Sequence, residues 1–258
     1  MKELTPEQIQ ENWEKLIQII KDTFEEGSER REKLLNMYHY FEERMCMTPA
    51  SGKEHFHNAH AGGYVEHVIH VTNSALQIKE LWKKNGASID FTNEELVFAA
   101  LHHDLGKVGD LAEDYYTPND SDWHRKNQGL IYKFNPNLQF MTVTDRALFI
   151  LQHFGIVLSD NEYIGLRLTD GLYEEANKSY YIGYSPERAL RTNIAYILHQ
   201  ADMMATKIEY DEWKRGDHDA VIANQPVGNS DTKETWEQEE KLEKSKRAHD
   251  LFKELFDE

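Results

Sequence analysis

Ala99-Ala100-Leu101-His102-His103-Asp104-Leu105-Gly106-Lys107 is the stretch on which the reading of this chain turns. Thr92-Asn93-Glu94-Glu95 upstream of it is a capping box, and Leu96, Ala99, Ala100 and His103 follow at helical spacing. The pattern stops at Gly106. Neighbouring residues do not share a face in mid-helix. His103 and Asp104 stand where the helix ends and the backbone bends, so their side chains can converge on one point. A neutral imidazole nitrogen and a carboxylate able to bridge suit divalent cations of intermediate hardness. Lys107 follows, placed to neutralise an anion beside them. A His-Asp pair alone is commonly structural, so its weight depends on the rest of the chain.

Working outward, helical signals dominate. Thr5-Pro6-Glu7-Gln8 is a start signal with an N-cap, Pro at the first position and Gln three residues on. Ile9, Trp13, Leu16, Ile17, Ile20 and Phe24 then keep helical spacing. A second helix is expected from about Ser28 to Met45. A long one is expected from about Tyr64 to Lys84 after Gly62-Gly63, and others over about Thr144 to Phe154 and Pro186 to Lys214. Between Val108 and Met141 the pattern breaks down into turn residues. There Leu130-Ile131-Tyr132-Lys133-Phe134 and Leu138-Gln139-Phe140-Met141 flank Asn135-Pro136-Asn137 as a candidate hairpin. A loop of that length suggests a lid or pocket wall. A polar stretch from Gly216 to Asp231 leads to a charged helix over about Thr232 to Asp257. The expectation is an all-α helical bundle with terminal helical extensions and one small hairpin. Its divisions are an N-terminal extension (1–46), a central domain (47–215) and a linker with a charged helix (216–258).

The formal net charge of −17, from 29 basic against 46 acidic residues, opposes binding to an extended polyanion. A small anion is not opposed, because a metal site supplies positive charge locally. The single cysteine, Cys46, rules out a disulfide framework and fits a reducing cytosol. No apolar run reaches the ~20 residues of a membrane span, and the N-terminus lacks the basic-then-apolar pattern of a signal peptide. The expectation is a cytoplasmic protein with no membrane partner.

Thirteen histidines is a high count, and most lie between His39 and His153. Upstream of the pair stands His57-Asn58-Ala59-His60-Ala61-Gly62-Gly63-Tyr64-Val65-Glu66-His67-Val68-Ile69-His70. Downstream stands Leu198-His199-Gln200-Ala201-Asp202-Met203-Met204-Ala205-Thr206. An isolated His67, the His103-Asp104 pair and a distant Asp202, in that order, resemble the HD metal-dependent phosphohydrolase superfamily over roughly 47–207. The Gly-Gly-x-x-x-His segment is most similar to the branch of HD-domain 3′-5′ exoribonucleases and related phage-type proteins, whose setting would be a host cytoplasm.

The resemblance implies an HD helical bundle and a hydrolase with His103, Asp104 and Lys107 as catalytic residues. It implies a ligand set of His67, His103, Asp104, His124, His153 and Asp202 for two divalent ions (Mn, Mg, Co, Ni or Fe) with Asp104 as the bridge. Relatives often carry His-His-Gly where this chain has His153-Phe154-Gly155. His60, Lys107, Tyr173 and Lys178 are candidate substrate contacts. His70, one turn from His67 on the same face, is expected in the core or exposed, with a supporting place behind the metal ligands as the alternative, His102 away from the metals, and His199 in an orienting or packing role. The implied partner is a small phosphorylated substrate of nucleotide type. Alternatives are a 3′-5′ exonuclease on short single strands, a di-iron oxygenase using the same six ligands, and a non-catalytic HD module. A homo-oligomer is compatible with all four.

Overall fold

The structure, a computed structural model, describes residues 3–183 and 185–222, with side-chain surroundings as far as 216. Its elements are helices and one two-stranded ribbon, so the all-α expectation holds. α1 (Pro6–Thr23) begins at a complete capping box, with Thr5 accepting from the Gln8 N–H and Gln8 reaching back to the Thr5 N–H. Trp13, Leu16 and Ile20 form its buried stripe. α2 (Glu29–Met47), capped by Ser28, buries Leu34, Tyr38, Phe41 and Met45 in the same core. α3 (Gly63–Lys84) and α4 (Asn93–His102) pack together, and α4 starts at the Thr92–Glu95 box.

Two apolar clusters share these last two helices. Tyr64, Val65 and Val68 of α3 with Phe98 and Leu101 of α4 join the core of α1 and α2. Val71, Ala75 and Ile78 of α3 with Leu96, Ala99 and Ala100 of α4 meet Ile194, Ile197, Leu198 and Ala201. Those four lie on α9 (Ile194–Ile222). Apolar contact thus brings α3, the end of α4 and α9 together, and each carries part of the His/Asp pattern.

Two close backbone approaches sharpen the arrangement. After α4 the chain makes a 3-10 turn at Leu105–Val108. This turn crosses the start of α6 (Val143–His153) so closely that a Cβ on Gly106 would lie 2.0 Å from the Val143 carbonyl oxygen. The entry to α3 is equally tight, since a Cβ on Gly63 would lie 2.1 Å from the Asn58 carbonyl oxygen. Asn58 is itself left-handed, with φ +42°.

The central segment departs from the expected hairpin. β1 (Tyr116–Pro118) pairs antiparallel with β2 (Tyr132–Phe134), and α5 (Asp122–Gln128) lies between them in the chain. The Leu138–Met141 run takes no part. Asn135 explains the choice of partner. Its N–H donates to the Tyr115 carbonyl, and its side-chain amide donates to the Asp114 carbonyl and to Glu113. The Asn135-Pro136-Asn137 turn is thereby tied back to residues before β1, which sets 132–134 against 116–118.

Other boundaries shift. α6 is capped by Thr142 rather than starting at Thr144. α7 (Asp160–Arg167) has a capping box at Ser159 and Glu162 that the periodicity reading passed over. α8 (Lys178–Tyr181) is a single turn, and Pro186–Arg188 is a 3-10 turn separate from α9. α9 runs through Gly216 to Ile222, where the start of a linker was expected. The expected charged helix at 232–257 lies outside the described residues.

Candidate metal centre

His67 is fully buried on α3, and its surroundings assign its proton. Nδ1 is 2.9 Å from Glu209 Oε2. An ionised carboxylate only accepts, so Nδ1 carries a proton and donates it. His103, 2% exposed at the end of α4, places its Nδ1 2.8 Å from the Ala100 carbonyl, with the same consequence. Both Nε2 atoms are buried without a hydrogen-bond partner among the described residues. A buried polar atom left this way calls for a missing partner.

The two nitrogens share their space with two carboxylates. Asp104 Oδ2 is 3.7 Å from His67 Nε2 and 3.5 Å from His103 Nε2. Asp202 Oδ1 is 3.2 Å and 3.8 Å from the same two atoms. Ligands ~2.0–2.2 Å from a tetrahedral ion stand about 3.3–3.6 Å from each other. The imidazole–carboxylate separations bracket that range, and Asp202 adds an oxygen beside the other three side chains. His67, His103 and Asp104 form a group able to hold a metal on these distances.

Electrostatics agree with that fit. Burial would push both carboxyls up. Around Asp104 the charges of Lys107, His103 and His67 outweigh it, and around Asp202 His67, His103 and Lys107 do so, so both stay below the usual carboxylate range. Burial would also lower the pKa of His67, but Glu209 and Asp202 overcome it and raise it to about 10. A cation entering here displaces that extra proton, the usual coupling of metal binding to proton release. Lys107 donates to Asp104 Oδ2 over 2.6 Å and is held protonated by Asp104 against the effect of burial.

Other predicted residues take distinct positions. His124 lies exposed on α5 and His153 exposed at the end of α6, and neither belongs to a metal-capable group among the described residues. The six-ligand set is therefore not assembled. The physical reason is that α5 sits on the ribbon excursion and the end of α6 turns its histidine outward against Phe154. His60 is buried, with Nδ1 3.1 Å from the Ala61 carbonyl and Nε2 3.5 Å from Glu66. Tyr173 is 83% exposed beside the His199 ring, and Lys178 pairs with Glu175 at the surface. His199 bonds the Thr169 carbonyl. His102 turns inward, between the Phe98 carbonyl and the Tyr38 hydroxyl.

Near the centre, Glu209 escaped the sequence reading, and His70, His57 and Asp170 were placed only loosely by it. Glu209 is 1% exposed and bonds both His67 and His70, so His70 takes the alternative place behind His67. Its signal was position, since it follows Asp202 by seven residues on one helix face. The His57 ring lies tilted against that of His67 with centroids 4.7 Å apart, and burial followed by the charges of His67 and Lys107 lowers its pKa to about 3. Asp170 is exposed, and its carboxyl is raised by partial desolvation and by the charges of Asp104 and Asp202.

No family model, curated protein or solved structure matches this chain. No helix among the described residues is long and apolar enough to cross a membrane.

Proposed function

We propose that this chain is a metal-dependent phosphohydrolase of the HD type, acting on a small phosphorylated substrate of nucleotide class. One observation carries the reading. Two buried imidazole Nε2 atoms without hydrogen-bond partners among the described residues face one buried and one partly buried carboxylate, Asp104 and Asp202, at separations that suit a divalent ion. When bound, such an ion polarises a phosphoryl oxygen and lowers the pKa of a water to near neutrality.

The chain's own residues do the rest. His67, His103, Asp104 and Asp202 bind through atoms whose orientation is set before any ligand arrives. Lys107 adds a fixed positive charge beside Asp104, where a phosphoryl group would gather negative charge. The net charge of −17 favours a small substrate over a long strand. The di-iron reading required the six-ligand set, of which four residues converge.

The test is hydrolysis of mononucleotides and short oligonucleotides by the purified chain with Mn²⁺, Mg²⁺, Co²⁺ or Ni²⁺, alongside metal analysis. The expected result is release of phosphate or nucleoside from mononucleotides, lost in Asp104→Ala. Equal rates for parent and variant would sink the proposal. Cleavage confined to oligonucleotides would move the reading to an exonuclease, and an iron absorption band in the purified protein would move it to an oxygenase.

A further inference from the structure

We infer that Glu209 is a positioning residue of the metal centre, setting metal affinity by holding the His67 proton on Nδ1. The inference rests on the reading of His67, His103, Asp104 and Asp202 as a metal site. A neutral imidazole has one proton and two nitrogens, and here a carboxylate stands at each. Glu209 Oε2 lies 2.9 Å from Nδ1, and Asp202 Oδ1 lies 3.2 Å from Nε2. Only the Nδ1–H form leaves Nε2 with a lone pair for the metal.

Without Glu209, the proton is best placed on Nε2, facing Asp202. That single move would occupy two ligand atoms at once, the His67 nitrogen and the Asp202 oxygen. Glu209 is well built to keep the Nδ1 proton in place when a cation displaces the one on Nε2. It is 1% exposed, and its second oxygen accepts from His70 Nδ1 over 2.8 Å. His67 and His70 lie one turn apart on α3, while Asp202 and Glu209 lie two turns apart on α9. One carboxylate thus ties the two ligand-bearing helices together and orients a ligand. Its negative charge also makes His67 Nε2 a stronger donor to a cation.

The experiment is titration calorimetry of the metal-free full chain with Co²⁺ near neutral pH, supported by the visible Co²⁺ spectrum. Glu209→Ala is expected to weaken binding by about 10–100-fold. Glu209→Gln keeps an acceptor oxygen for His67. Its NH2 can face His70, which is half-exposed and free to change tautomer. Gln is therefore expected to restore most of the affinity, which loss of mere packing would not predict. Circular dichroism melting of the metal-free proteins reports separately on folding. Should the alanine variant fail to fold, Glu209→Leu fills the space without an acceptor and is judged by the same criterion. Parent-like affinity in Ala or Leu overturns the inference, as does a glutamine variant as weak as alanine. A parent that binds no Co²⁺ overturns the metal-site reading itself, a result distinct from either.

Discussion

The six residues of the HD-type ligand pattern divide into two groups that look alike in sequence and differ in space. His67 and Asp202 lie on helices, and His103 and Asp104 at the turn ending a third, that share apolar cores, and their nitrogen and oxygen atoms meet at 3.2–3.8 Å. His124 and His153 lie exposed, one on a helix inside the ribbon excursion and one at a helix end. The difference teaches what would fit a histidine to hold a metal. Burial removes water as a competitor, and an acceptor on Nδ1 fixes the tautomer, as Glu209 and the Ala100 carbonyl do for the buried pair. His124 and His153 have neither feature.

The largest expected effect lies in the buried group. Asp104→Ala removes the carboxylate that faces both imidazoles and Lys107, and it should lower phosphate-ester hydrolysis on the order of 10³-fold. Steady-state rates with Mn²⁺ measure this, and a loss below tenfold would break the comparison at its strong end.

Gly106→Ala tests the frame that lets the buried group converge. Its Cβ would meet the Val143 carbonyl at 2.0 Å, and backbone on both sides has little room to yield. A loss of roughly 1–3 kcal/mol is expected by urea denaturation. An unchanged midpoint would show that the turn and α6 move apart freely.

The neighbours His102 and His103 sharpen the point by pH. Burial holds His102 neutral and lowers its pKa to about 3, against 6.5 for an exposed histidine. The unfolded chain then binds more protons than the folded one between those values. Stability should therefore fall as pH drops from about 6.5 towards 3, by at most ~1.4 kcal/mol per pH unit from this one group. His67 has the opposite sign. Its pKa is raised to about 10, so its contribution is fully present below 6.5 and is lost as pH rises towards 10. Melting of the metal-free protein should be highest near pH 6.5, and His102→Gln should flatten the acid limb. A flat profile from pH 4.5 to 9 would contradict both assignments.

The smallest effects belong to the exposed histidines. His124→Ala and His153→Ala should leave stability within about 0.5 kcal/mol and leave metal stoichiometry unchanged. Loss of an ion in either variant, read by metal analysis, would restore the six-ligand pattern and erase the contrast drawn above.

Much of the frame was legible in the chain because its cues are local. The Thr5–Gln8 and Thr92–Glu95 capping boxes mark helix starts through bonds three residues apart, and the stripe of Trp13, Leu16 and Ile20 is set by the helical repeat. The hairpin was misplaced because Asn135 draws its partners from residues 113–115, a connection that no local pattern shows. The start of α9 was misplaced because Pro186 begins a separate turn. Glu209 was passed over because a glutamate on a charged helix reads as solvated until the packing of α3 on α9 buries it.

Residue type and order by themselves determined the helical class, the capped starts of α1 and α4 and a set of six side chains with metal-binding chemistry, since caps, periodicity and donor atoms are properties of short segments. Tertiary structure alone decided which histidines join those carboxylates, which nitrogen of each imidazole is free, and that Glu209 and His70 stand behind His67. Those outcomes depend on burial and on the meeting of helices more than 130 residues apart in the chain, as the separations of 142 and 139 residues between Glu209 and its two histidines show.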